Sequence, residues 1–106
     1  MKQPIHVSVD PDYPSAYVTY EDPSRRDGSL PLAWNAAGEI VEHDFRAMEQ
    51  TSTGVVIDVD GDERPIGIEI IDVREDDAVQ VARDYAAAHG LAFPARLEPV
   101  TPRRSA

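Results

Sequence analysis

Apolar and polar positions alternate most cleanly in the middle of the chain. Val55, Ile57 and Val59 lead into Asp60-Gly61-Asp62-Glu63, and Ile66, Ile68 and Ile70 lead out of it. Two β-branched runs around a short cluster of turn residues predict a β-hairpin. Its register follows from burial: if Asp60 opposes Pro65, both apolar triads share one face, whereas a slip of one residue sets Asp58 beneath Ile66 and Ile68. The favoured register leaves Val56, Asp58, Gly67, Glu69 and Ile71 on the opposite face, with Asp58 and Glu69 diagonal neighbours about 7 Å apart. Upstream, Ile5-His6-Val7-Ser8-Val9 alternates, Asp10-Pro11-Asp12-Tyr13-Pro14 supplies turn chemistry, and Ala16 to Tyr20 resumes an extended pattern. A second hairpin is predicted there.

Glu39 to Phe45 alternates again, with Val41, His43 and Phe45 on one side, and reads as a further strand. Residues 21–38 hold Pro23, Gly28, Pro31 and Gly38 and read as a long exposed loop, while Arg46 to Thr53 fits either a helical turn or a loop. After Val73 the period becomes helical. Ala78, Val81, Ala82, Tyr85 and His89 recur at 3–4 spacing, residues 75–77 are acidic as suits a helix N-terminus, and Gly90 is a natural stop. These signals predict a helix over about 75–89, followed by an apolar clip, Leu91-Ala92-Phe93-Pro94, able to dock on the domain. The predicted fold is α+β: an antiparallel, meander-like sheet of about five strands with one C-terminal helix, a single domain over 1–98, and a disordered tail over 99–106.

Charge narrows the partners. Twenty acidic against ten basic residues give a formal charge of -10, which repels phosphate backbones, and the scattered aromatics offer no base-stacking platform. Nucleic-acid binding is not expected; a basic protein partner or a cation is, unless the acidity serves only solubility. The absence of cysteine excludes disulfides, thiol nucleophiles and Cys-based zinc sites. With no apolar run of membrane length and no apolar leader segment at the N-terminus, the expectation is a soluble cytoplasmic protein without membrane contact.

The strand-two segment Asp10-Pro11-Asp12…Ala16-Tyr17-Val18, together with Gly67-Ile68-Glu69-Ile70-Ile71-Asp72, resembles a small bacterial family of domains of unknown function. Its members carry a tyrosine on the second strand and close with a hairpin ending in Gly-Ile-Glu-Ile-Leu. The resemblance covers residues 5–73 and implies a compact antiparallel sheet with no established activity. Some members are thought to sit beside small ribonuclease-like toxins, which implies an antitoxin-like role. Two departures stand out: the 21–38 segment is longer than in the family, and Glu63 occupies the turn position where the family places glycine.

Three constellations could carry chemistry. Asp58, Asp60 and Asp62 fall at positions 1, 3 and 5 of a calcium-loop spacing, and Glu69 falls at position 12. Position 6 is Glu63 instead of glycine and the flanks read as strands, so an acidic hairpin turn without a ligand is the competing reading. His6, His43 and His89 sit on separate elements without ligand spacing, and no nucleophile sits in a recognisable elbow or dyad, which leaves a small enzyme as the third functional class. Finally, Leu30, Leu32 and Trp34 in the 21–38 segment, with Leu91, Phe93 and Leu97 after the helix, exceed what a five-stranded sheet and one helix must bury. They form either a partner contact patch or a cover for the second face of the sheet, over Val56 and Ile71. The preferred function is a non-enzymatic protein-interaction module engaging a basic partner or a second copy; the alternative is a calcium-binding module.

Overall fold

A computed structural model of the chain describes residues 1–97; the tail expected over 99–106 lies outside the described residues. Six strands build one sheet: β1 (His6–Val9), β2 (Ala16–Thr19), β3 (Gly28–Trp34), β4 (Ile40–Glu42), β5 (Thr51–Val59) and β6 (Pro65–Ile70), followed by the helix α1 (Asp76–Ala88). Their spatial order is β1-β2-β6-β5-β3-β4, and every neighbouring pair is antiparallel. The β5–β6 hairpin predicted from the central pattern therefore forms the middle of the sheet, wedged between β2 and β3. The fold is α+β, with one strand more than the sequence pattern predicts.

The extra strand is β3. Residues 28–34 are not an exposed loop but pair along their whole length with β5. Leu30, Leu32 and Trp34 alternate with a period of two, a signal masked by Gly28 and Pro31. The proline is tolerated because of where its missing N–H falls. Backbone N and O of one strand residue point the same way, and the Pro31 carbonyl accepts from His43 N–H at 2.7 Å, just beyond the end of β4. No ladder bond is lost on the β5 side. Strand β4 is shorter than the alternation over 39–45 predicts. It ends at Glu42, and Phe45, expected on the same side as Val41, is 86% exposed.

In the hairpin the pairs Val55↔Ile70, Val56↔Glu69, Ile57↔Ile68 and Asp58↔Gly67 match the predicted register, and both apolar triads are buried. Past Asp58 the register shifts, so Pro65 opposes Val59 instead of Asp60. The cause is the turn. Glu63 N–H bonds Asp60 O at 3.0 Å, and Glu63 then takes φ 60°, the left-handed residue of a G1-type bulge. A second irregularity lies in β5, where Gly54 adopts φ 76° and the pairing with β3 slips between Leu32 and Ala33. This bulge lets Thr53 Oγ1 bond Leu32 O at 2.9 Å, and it brings Gly54 against Ala78 at the start of α1.

The helix packs on β5 and β6. Ala78, Val81, Ala82 and Ala86 face Val18, Ile57, Ile68 and Ile70 in one core. Small helix residues allow a close approach to the β-branched sheet surface. A Schellman motif ends the helix: Gly90, at φ 68°, donates to Ala87 O at 3.3 Å and Leu91 to Ala86 O at 2.8 Å. That turn delivers Leu91 into the core and starts a strap. Lys2 N–H bonds Gly90 O, Ala92 N–H bonds Lys2 O, and the buried Tyr20 hydroxyl donates to Ala92 O at 2.7 Å. The clip read from Leu91 to Pro94 does dock on the domain. Among the described residues, no helix is long and apolar enough to cross a membrane.

Candidate functional site

The face of the sheet away from α1 carries a polar clasp across four strands. Tyr17 on β2 extends its ring over Gly67 on β6, and its hydroxyl donates to Asp58 Oδ2 on β5. Ser29 on β3 donates to Asp58 Oδ1 at 2.7 Å, and the Arg26 guanidinium stands 4.0 Å from Oδ2. Asp58 is 3% exposed, so these partners replace its hydration. Burial first, then the hydrogen bond to Asp58 and its charge, push the Tyr17 hydroxyl well above its ordinary pKa. Glycine at position 67 is what allows this. A Cβ there would meet Tyr17 Cζ at 2.8 Å, so the ring fills the space a side chain would take. The tyrosine of strand two and the glycine of the hairpin are thus two halves of one contact. Both Asp58 oxygens are occupied, Oδ1 by Ser29 and Oδ2 by Tyr17, so the clasp ties β2, β3 and β5 together as a cohesive element of the sheet.

The four carboxylates with calcium-loop spacing are not gathered. Asp58 turns to the clasp. Asp60 Oδ1 accepts the N–H groups of Asp62 and Arg64, both at 2.9 Å, which hold its carboxyl below the usual range. Asp62 pairs with Arg64 at 2.8 Å, and Arg64 Nε lies 3.5 Å from Asp60 Oδ2, so a guanidinium occupies the loop where a cation would bind. Glu69 keeps its predicted diagonal place beside Asp58, one row further along the sheet. Among the described residues, no group of three or more His, Asp or Glu side chains is arranged to hold a metal ion.

The apolar residues proposed as a contact patch also lie elsewhere than expected. Leu32 and Leu91 are buried in the core, while Leu30, Trp34 and Phe93 pack against its margin on the helix side. They do not lid the opposite face, where Ile71 stays half exposed. Arg83 covers the Phe93 ring at 5.4 Å to the centroid, placing the strap along one flank of α1.

Among the described residues the other flank is open. Between α1 and the β3–β4 end of the sheet runs a groove of about 620 Å³. Leu32, Trp34, Ile40 and Val41 form its sheet wall, and Val81, Tyr85 and Ala88 its helix wall. Glu42, Asp77 and Asp84 line its rim with Gln80 and His89. Helical periodicity explains the rim: Asp77, Gln80, Asp84 and Ala88 fall on one stripe, beside the buried stripe and away from Val79 and Arg83. Burial, with the nearby Glu42 charge, raises the Tyr85 pKa, and its ring stacks on His89 at 4.0 Å between centroids. Because β4 and β5 both run antiparallel to β3, the connection over 43–50 must cross β3. None of its residues lines the groove, so it crosses on the opposite face and leaves the groove unlidded.

Of the candidate contact residues, Leu32 and Trp34 line this groove; Leu30, Leu91 and Phe93 do not. Ile40, Val41, Tyr85 and the acidic rim were outside the candidate set. The acidic i, i+7 pair Asp77–Asp84 beside the apolar stripe signals the rim, but nothing local ties it to Ile40 and Val41 on β4. Of the histidines only His89 reaches the groove; His43 lies outside it, edge-on to Phe45 with Nδ1 buried and unbonded. No family model matches the chain, and neither a curated protein nor a solved structure matches it.

Proposed function

We propose that this protein is a non-enzymatic binding module that takes apolar and basic side chains of a protein partner into the groove between α1 and the β3–β4 end of the sheet. The observation that carries this reading is the groove itself: an apolar trough rimmed by Glu42, Asp77 and Asp84 and left uncovered by the described residues. Apolar floor and acidic rim together select a lysine- or arginine-bearing apolar segment, with the formal charge of -10 steering its approach. An enzyme that handles phosphate backbones presents such cations. The family resemblance extends the reading to antitoxin-like neutralisation of a basic, ribonuclease-like protein in a bacterial cytoplasm.

Trp34, the single tryptophan, lines the groove and reports on its occupancy. The test is affinity capture from the native host with the wild-type chain and with Ile40→Asp, followed by Trp34 fluorescence titration of any protein retained. A stoichiometric basic partner that shifts Trp34 emission, weakens with salt and is lost by Ile40→Asp supports the reading. Absence of any stoichiometric partner, with the chain monomeric by sedimentation, sinks it.

A further inference from the structure

Resting on the groove reading above, we infer that the groove's occupant binds as an extended strand added to the outer edge of β4, an edge-pairing mode of recognition. The hydrogen-bond phase of β4 is fixed at both ends. His43 N–H bonds Pro31 O and Asn35 N–H bonds Glu39 O, so the pairs 31↔43 and 35↔39 are the bonded ones. Alternation then makes 33↔41 bonded and leaves Ile40 and Glu42 with their N–H and C=O groups directed away from β3. Nothing described on the chain pairs with those four groups. Strand β4 is the terminal strand of the sheet, its sequence Ile40-Val41-Glu42 carries neither proline nor lysine, and Ile40 is 42% exposed. The usual means of blunting an edge are thus reduced to its shortness and one carboxylate.

Edge and groove are continuous. A strand laid about 4.8 Å beyond β4 places alternate side chains in the rows of Ile40 and Glu42, over the groove. An apolar side chain there packs on Ile40, which lies beside Trp34, and extends toward Tyr85 across the groove. A lysine lays its stem on the same floor and carries its ammonium to Asp77 or Asp84. Among the described residues the opposite edge, β1, has no such apolar trough: the hollow beside it, about 390 Å³, is lined by Ser8, Asp10, Ser15 and Glu69 as much as by apolar groups. A helix, about 10 Å across, would leave the β4 edge unused. A second copy of the chain is disfavoured because pairing β4 with itself brings two acidic rims, each with Glu42, Asp77 and Asp84, to one seam. Charge complementarity selects a basic, apolar strand.

The test uses the heptapeptide Thr-Leu-Thr-Lys-Thr-Leu-Thr, its analogue N-methylated on the edge-facing residues, and a helix-stabilised peptide with the same Leu-Lys-Leu triplet. Wild-type protein is titrated with each while Trp34 emission and amide exchange are followed. The proposal requires that the first peptide shift Trp34 and slow exchange of the Ile40 and Glu42 amides at least tenfold. The Val41 amide, already bonded to β3, should be little changed, and N-methylation should weaken binding at least tenfold. Equal binding of the N-methylated peptide overturns strand addition while the groove reading stands. So does binding of the helical peptide alone. If none of the three shifts Trp34, both readings fall. A concentration-dependent dimer that protects the same amides without peptide overturns the proposal in favour of self-pairing.

Discussion

On the helix side of the sheet, Val18, Ile57, Ile68 and Ile70 are shut away from water by α1, and the contacts are many, apolar and interchangeable. On the other side the same strands present Tyr17, Asp58, Gly67 and Ser29, and cohesion runs through two hydrogen bonds to one carboxylate. The difference lies in how each face can be broken. A dispersed apolar interface leaves room for an incomplete edge, which is why the β3–β4 end can stay open as a groove while the rest of the core is closed. A clasp built on three side chains and one glycine has no such slack, because removing Tyr17 or Ser29 leaves an oxygen of the buried Asp58 without its partner.

The largest expected effect is on the apolar side. Ile68→Ala removes a fully buried side chain between β5, β2 and α1 and should cost about 3–4 kcal/mol in urea unfolding. A loss under about 1 kcal/mol would mean that the helix does not close this face.

The clasp comes next. Gly67→Ala drives the Tyr17 ring off its seat and deprives Asp58 of a donor, for an expected loss of about 2 kcal/mol. The diagnostic is its sign in a Tyr17→Ala background. There the added methyl has open space, and a strand alanine exceeds glycine by about 0.5–1 kcal/mol, so the same change should be neutral or stabilising. A penalty unchanged by Tyr17→Ala would refute the pairing of ring and glycine.

Alkaline pH tests both faces at once. Burial raises the Tyr20 hydroxyl to about 12, and Tyr17 moves upward as well. Unfolded tyrosine releases its proton near pH 10, so between the two values the unfolded chain binds fewer protons and stability declines as pH rises. The contribution is intact below about pH 9, and Tyr20 accounts for a loss of about 1 kcal/mol by pH 11. Urea midpoints for the wild type, Tyr20→Phe and Tyr17→Phe between pH 8 and pH 11 separate the faces: each variant should show a shallower alkaline decline. A slope unaffected by either substitution would assign the decline elsewhere.

How much of this is legible in the sequence depends on the range of the interaction. The β1–β2 and β5–β6 hairpins and the helix are written in local periodicity and stand within a residue or two of where it places them, except that β5 starts at Thr51, inside the segment read as a helical turn or a loop, where the Gly54 bulge breaks the alternation. Strand β3 is hidden because Gly28 and Pro31 look like punctuation until one sees that the N–H lost at Pro31 points past the end of β4. The clasp joins residues 17, 29, 58 and 67, which no spacing rule connects. Asp58 is therefore read locally as part of an acidic turn, when its partners are strands away. The groove is half legible: Leu32 and Trp34 are conspicuous as apolar residues without an obvious core. Their facing wall on α1 follows only once the helix is known to lie over β5 and β6, short of β4.

The smallest effect isolates a single backbone angle. Glu63 holds φ 60°, a region that costs a residue with a Cβ about 1 kcal/mol or more and costs glycine nothing sterically. Its backbone is committed to the turn through the bond to Asp60 O. Glu63→Gly should therefore raise stability by a few tenths to about 1 kcal/mol, since glycine's greater unfolded-state freedom offsets part of the relief. Glu63→Ala, which keeps the Cβ, should give no comparable gain, so that difference measures the angle and not the lost carboxylate. The gain should also be indifferent to both faces of the sheet, adding to Ile68→Ala and Gly67→Ala within about 0.5 kcal/mol. A non-additive result would show that the register slip at Val59 reaches Asp58 and that turn and clasp act as one unit.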